Sequence, residues 1–461
     1  MLRTTVGKQI SVLTRSLLKR CLATTAGAGA NIEVTELPNG LTVATEYVPH
    51  SKVTSTGIVF PSGSTAEDPY NNGVANILTK NFLNNPHIIV EAAKDGFQLI
   101  SNVNRESQSF VVNSAQGQPS KILNFLQSKV LSKDFKSLEK HFDTIRSKAV
   151  DEAAFFEEND HQNRAMEHLH STAFQNTPLS LPTRGTVETL QTLVTDDVAS
   201  FANKTCNIKD AVIVATGNTS HADLVKAVEK EIDLNQTSKN ALIKPKSSFL
   251  GSEVRLRDDT LPKAWVAIAA EGESAKSEQY LTSHVATSIF GEYFAMEPRS
   301  RLQGIKLLDN LQEYQLCDSF THFNLNYKDS GLWGFTTMTG NIGNIDDLIH
   351  FTLKQWNRLS ISITETELER GKALLKLKLA TDALKRKTNA ALLANEILAN
   401  DGVYLNLDEV FKKIHAVTIK DIKNWAGNKL WDQDIAISGV GQIEDLLDYM
   451  RMRNDMSMMR W

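Results

Sequence analysis

The sequence predicts an α+β chain of two similar tandem domains, each a β-sheet with helices packed on one face. Three observations carry this. Short alternating apolar segments recur in both halves, separated by long stretches of helical periodicity. The halves repeat each other: Asp197, Val198, Phe201, Ala202, Asp210, Ile213 and Gly217 match Asp421, Ile422, Trp425, Ala426, Asp434, Ile437 and Gly441 at a constant offset of 224 positions. Between them lies a polar stretch, 236–248, with Lys239, Lys244 and Lys246 around Pro245, which has the chemistry of a linker. The expected domains are 31–235 and 251–461, joined by 236–250.

The elements follow in order. The segment 31–60 alternates around the turn Pro38-Asn39-Gly40 and predicts strands over 41–45 and 53–60. Pro61-Ser62-Gly63 ends the second of these, and Asn71-Asn72-Gly73 leads into a helix over 74–83. Segments 97–103 and 107–112 read as paired strands, 120–172 as helical, and 210–216 as a buried strand closed by Gly217. In the second half, strands are expected at 254–257 and 265–270, followed by long helices. Thr364-Glu365-Thr366-Glu367 has the capping-box pattern and opens a helix to about 387.

Composition excludes several classes. The 461 residues are 41% hydrophobic and 23% charged, as in ordinary globular proteins. A net charge of −4 offers no basic face for nucleic acid. No apolar run approaches the ~18 residues of a membrane-spanning helix, so any attachment to a membrane is expected to run through other proteins. Cys21, Cys206 and Cys317 form neither a CxxC pair nor a disulfide framework, which suits a reducing compartment. A typical iron–sulfur cluster takes four cysteine thiolates, so no such cofactor is expected, nor any other.

The N-terminus is the most telling segment. Arg3, Lys8, Arg15, Lys19 and Arg20 precede the first acid, Glu33, while Ile10, Leu13, Leu17 and Leu18 fall at helical spacing among serines and threonines. A basic, amphipathic, acid-free segment reads as a mitochondrial transit peptide over 1–22. Arg20 stands shortly before an expected cut at Leu22 or Ala23.

Asn71-Asn72-Gly73-x-Ala ahead of a helix resembles the inverted-zinc metallopeptidases related to the mitochondrial processing peptidase, which continue His-x-x-Glu-His on that helix. His168-Leu169-His170, Thr177-Pro178-Leu179, Gly185-Thr186-Val187-Glu188 and Tyr327-Lys328-Asp329-Ser330-Gly331-Leu332 agree with the same family. Leu256-Arg257-Asp258-Asp259-Thr260-Leu261-Pro262-Lys263-Ala264-Trp265, Gln355-Trp356-Asn357-Arg358-Leu359 and the tail from Trp431 to Trp461 are similar to a non-catalytic branch of it, the fungal core subunits of the mitochondrial cytochrome b-c1 complex.

In the active family, positions i and i+4 of the helix bind zinc and i+3 activates water, because all three share one face. Here those positions are Asn76, Thr79 and Lys80. An amide is a poor zinc ligand, threonine is no base, and an ammonium repels the cation. A third ligand, a glutamate, is implied some seventy to eighty residues on, where Asp151, Glu152, Glu157 and Glu158 are all candidates. Neither catalytic nor metal-binding residues are therefore expected. His161, Glu167, His168 and His170 are near in sequence, but His-x-His places two rings on opposite sides of a helix. In this family peptides add to a sheet edge, which 101–106 resembles.

The resemblance implies a structural subunit of ubiquinol–cytochrome c reductase. It would lie on the matrix side of the mitochondrial inner membrane, with core protein 2, cytochrome b, cytochrome c1, the Rieske iron–sulfur protein and the small subunits as partners. Its alternative is the non-catalytic presequence-binding subunit of the processing peptidase. That subunit carries a long glycine-rich loop where this chain, over 299–310, has only Gly304.

Overall fold

The computed structural model describes residues 31–115, 118–132, 136–234, 245–297, 303–386, 390–400, 402, 404 and 406–457. The expected transit peptide with Arg20, Leu22 and Ala23, and most of the expected linker, lie outside the described residues.

Each half forms a six-stranded mixed sheet. In the first, β1 (Asn31–Glu36), β2 (Thr42–Tyr47), β3 (Thr54–Phe60), β4 (Gln98–Val103), β5 (Gln108–Ser114) and β6 (Val212–Gly217) lie in the order β1-β2-β6-β3-β5-β4. In the second, β7 (Glu253–Arg257), β8 (Ala264–Glu271), β9 (Glu292–Phe294), β10 (Ser319–Asn326), β11 (Gly331–Thr339) and β12 (Ile435–Gly441) lie in the order β7-β12-β8-β11-β10-β9. The central strands correspond in order and sense. β2–β6 and β7–β12 are the parallel pairs, and their neighbours are antiparallel. The halves differ at the ends: β1 extends the first sheet beyond β2, and β9 extends the second beyond β10.

Helices α1 (Val74–Asn84), α2 (Lys136–Asn159), α3 (His161–Ala173), α4 (Thr195–Thr205), α5 (Tyr280–Phe290), α6 (Lys306–Glu313), α7 (Ile345–Ile361), α8 (Glu365–Arg386), α9 (Ala390–Ala399) and α10 (Ile419–Lys429) pack on these sheets. The sequence repeat falls on α4–β6 and α10–β12. Asp197 accepts from the Val194 amide at 3.0 Å and Asp421 from the Thr418 amide at 2.8 Å, so the same helix-start chemistry recurs. Gly217 and Gly441 both hold positive φ, 125° and 92°, which lets each strand turn away at its end.

β3, β6 and β12 are buried along their whole length, because both faces of each sheet are covered. One face carries helices of the same half. The other is covered by a helix from the opposite half. Ala390, Leu393, Ala394 and Ile397 of α9 pack on Val59, Val111, Val212 and Val214 of the first sheet. In return, Leu169 and Ala173 of α3, with Phe174 and Leu179, pack on Ala267, Ala269, Leu332 and Ala436 of the second.

Candidate functional site

The helix expected to carry the metal motif is α1, and its start is built tightly. Gly73, at φ 98°, precedes it, and a Cβ there would lie 2.7 Å from Leu190 and 3.1 Å from the Gly185 Cα. Only glycine allows the 184–186 turn to come this close. The Glu67 carboxylate accepts from the Gly73 and Ala75 amides at 2.9 and 2.7 Å and from Asn72 Nδ2 at 2.7 Å, satisfying donors that the helix leaves free. Burial pushes the Glu67 carboxyl up to about 8, against the ionised form those donors favour.

Asn76, Thr79 and Lys80 are each engaged elsewhere. Asn76 is buried and its Nδ2 donates to the Arg184 carbonyl at 3.0 Å. The Thr79 hydroxyl donates back to the Asn76 carbonyl at 2.9 Å. Lys80 reaches across to α2 and forms an ion pair with Glu152. Of the four acids in the expected window, the geometry therefore singles out Glu152 as the one facing the motif. Arg184 closes the site from the other side, its guanidinium 4.1 Å from the Phe156 ring centroid. The donor set does not fit zinc: it offers an amide already bonded, a hydroxyl turned back on its helix, and a cation paired to the one carboxylate.

The histidine group separates as well. On α3, His161 lies against Trp265 with ring centroids 4.6 Å apart. His170 joins the two halves. Its Nδ1 is 2.7 Å from the Met166 carbonyl, which can only accept, so Nδ1 carries the proton and Nε2 accepts from the Tyr327 hydroxyl at 2.7 Å. Burial and the neighbouring Arg105 guanidinium hold the His170 imidazole well below its usual 6.5, and burial pushes the Tyr327 hydroxyl up to about 12. Around this bond, Arg105 pairs with Glu167 at 2.6 Å, the Lys328 amide donates to Glu106 at 3.0 Å, and the Ser107 hydroxyl donates to Asn395 Oδ1 at 2.9 Å. The β4–β5 tip thus meets the β10–β11 tip and α9. No local pattern marks the His170–Tyr327 bond, whose partners lie 157 positions apart.

The expected peptide-binding strand is β4, which pairs with β5 on one side and forms the end of the first sheet. Its counterpart β10 is instead flanked by β9 through Ser319–Phe294, Phe320–Tyr293 and Thr321–Glu292.

A family profile described as "Insulinase (Peptidase family M16)" matches residues 42–187, and one described as "Peptidase M16 inactive domain" matches 192–375. The chain belongs to the M16 peptidase family. It is 54% identical over 464 residues, covering 100% of both chains, to "Cytochrome b-c1 complex subunit 1, mitochondrial" of Saccharomyces cerevisiae. It is 32% identical to "Mitochondrial-processing peptidase subunit beta" of Neurospora crassa, covering 95% of this chain and 94% of that one. Among solved structures, a chain of "Complex III2 from Candida albicans, Inz-5 bound" superposes with TM-score 0.83 and 34% identity, covering 92% of this chain and 100% of that one.

Proposed function

We propose that the chain is a non-catalytic core subunit of the mitochondrial cytochrome b-c1 complex, needed to assemble and stabilise that complex rather than to run a reaction. The observation that carries this reading is the α1 site: Asn76, Thr79 and Lys80, at the three helix positions an M16 peptidase uses for zinc and water, cannot do that work and are each bonded elsewhere. The end-to-end likeness to a named subunit 1 supports the particular complex. No helix among the described residues is long and apolar enough to cross a membrane. The reading therefore places the chain on the matrix side of the inner membrane, held by core protein 2 and the membrane subunits. Removal of residues 1–22 at Arg20, Leu22 or Ala23 and a domain division at 236–250 belong to the same proposal.

Deletion of the chain is expected to lower assembled cytochrome b and ubiquinol–cytochrome c reductase activity, while presequence processing continues. Asn76→Ala or Lys80→Ala should restore assembly as fully as the unaltered chain, because the Lys80 ion pair contributes only about 0–1 kcal/mol and the single Asn76 bond to the Arg184 carbonyl about 0.5–1.5 kcal/mol. Accumulated precursors beside an intact complex would favour the presequence-binding alternative, for which the open β4 edge is the supporting feature.

A further inference from the structure

We propose that the outer face of α8 docks an acidic amphipathic helix of another subunit, a reading that rests on membership of the cytochrome b-c1 complex. α8 carries apolar residues on two opposite sides. The inner side is used within the chain. Leu368 and Leu375 are buried in the second core, and Gly371 lies so close to α5 that a Cβ there would meet Ile289 at 2.8 Å. The outer side carries Ala373, Leu377, Ala380 and Leu384. Their spacing of four, three and four residues is the a/d pattern of a helix–helix seam, and it runs for about 16 Å. Leu377 and Leu384 are 64% and 62% exposed, so within the chain nothing covers the two largest side chains of that seam.

The charges beside the seam choose the partner. Asp382 is paired with Lys385 at 2.8 Å, and Glu369 with Lys372 at 2.8 Å. Lys376 and Lys378, on either side of Leu377, form no ion pair among the described residues, and Lys376 acts on Glu369 only at longer range. An apolar line edged by two unmatched ammonium groups is complementary to a helix with leucines on its own seam and carboxylates beside them. A bilayer fits it less well. Helices that lie in a membrane surface present a broad apolar face, usually with aromatic anchors, whereas this strip is narrow and α8 contains no aromatic residue.

Assembly of the intact complex tests this, in cells that carry only an altered chain. Leu377→Gln with Leu384→Gln and, separately, Lys376→Glu with Lys378→Glu are expected to lower the share of the chain that migrates with cytochrome b on native gels by about 5-fold or more. Lys376→Arg with Lys378→Arg keeps the charge and should stay within about 2-fold of the unaltered chain. Glutamine and glutamate are good helix formers, so the purified variants should keep the urea midpoint of the unaltered chain. A leucine pair variant that assembles fully overturns the proposal, and so does an arginine variant that fails as badly as the glutamate one. Flotation of the purified chain with phosphatidylglycerol vesicles, lost in the leucine variant, also overturns it and assigns the seam to the bilayer. If the unaltered chain itself does not migrate with cytochrome b, the complex III reading falls and the seam's partner with it.

Discussion

Among the described residues no strand pairs with the outer edge of β4, whereas the equivalent strand of the second sheet, β10, is covered by the three residues of β9. The interiors differ in a parallel way. The first core is built on phenylalanines, with Phe82 edge-on to Phe110 at 5.4 Å. The second is built on Trp333, Trp356 and Trp425 around a buried neutral His322, which accepts from Trp356 Nε1 at 3.1 Å. An open edge, a short helix start held by glycines, and a site where charges face solvent belong to the half that, in peptidases, does chemistry. A capped edge and larger, interlocked rings belong to the half that supports it. The loss of the zinc groups has not erased this division, because it rests on strand order and core packing rather than on Asn76, Thr79 or Lys80.

The largest expected effect tests the two cores at one repeat-related position. Phe201→Ala and Trp425→Ala each remove a buried ring, a loss of about 3–5 kcal/mol. Trp425 also donates to Glu273 Oε1 at 3.0 Å, and its removal strands that carboxylate at a further cost of about 1–3 kcal/mol. Urea unfolding should therefore rank Trp425→Ala as the more damaging, and equal losses would show that the Glu273 bond contributes nothing.

Next come the exchanged helices. Leu393→Ala on α9 and Leu169→Ala on α3 each empty a fully buried site, at about 2–5 kcal/mol. Residues 31–234 contain no tryptophan, so tryptophan fluorescence reports on the second half and, through Trp265 against His161, on its contact with α3. If the exchange makes one cooperative unit, Leu169→Ala and Leu393→Ala shift the fluorescence and far-ultraviolet transitions together. Separate midpoints would break the comparison into two independent domains.

The smallest effect is on pH. His170 is held below its usual value in the folded chain, so the unfolded chain binds more protons between that depressed value and 6.5. Its contribution is present above about pH 6.5 and is lost as the pH falls. The groups acting on it are the Arg105 guanidinium, itself paired with Glu167, and the Tyr327 hydroxyl, on which Glu167 and Glu106 act in turn. Acidification from pH 7 to 5 should lower the unfolding midpoint, and His170→Gln should flatten that slope. An unchanged slope would remove His170 from the account.

Much of this was legible in the residues. The strand pair 97–103 and 107–112, the helix from Asn71-Asn72-Gly73 and the helix opened by Thr364 to Glu367 carry local signals, and they stand as β4–β5, α1 and α8. The exchange of helices was not legible. α9 reads Ala390-Ala391-Leu392-Leu393-Ala394-Asn395-Glu396-Ile397-Leu398-Ala399, apolar on nearly every side, and such a pattern names no partner face. Nor could spacing choose Glu152 among Asp151, Glu157 and Glu158, because that choice depends on which face α2 turns to Lys80.

The crossing of α9 onto the first sheet also sets a timetable for making the molecule. The last strand of that sheet, β6, ends at Gly217, but the helix that covers its second face is not complete until Ala399. Until the far half of the chain has arrived, the valine-lined face of the first half has no cover. Until then the first half presents an apolar surface that the finished protein buries, and holding it soluble falls to whatever escorts the chain until its far end arrives.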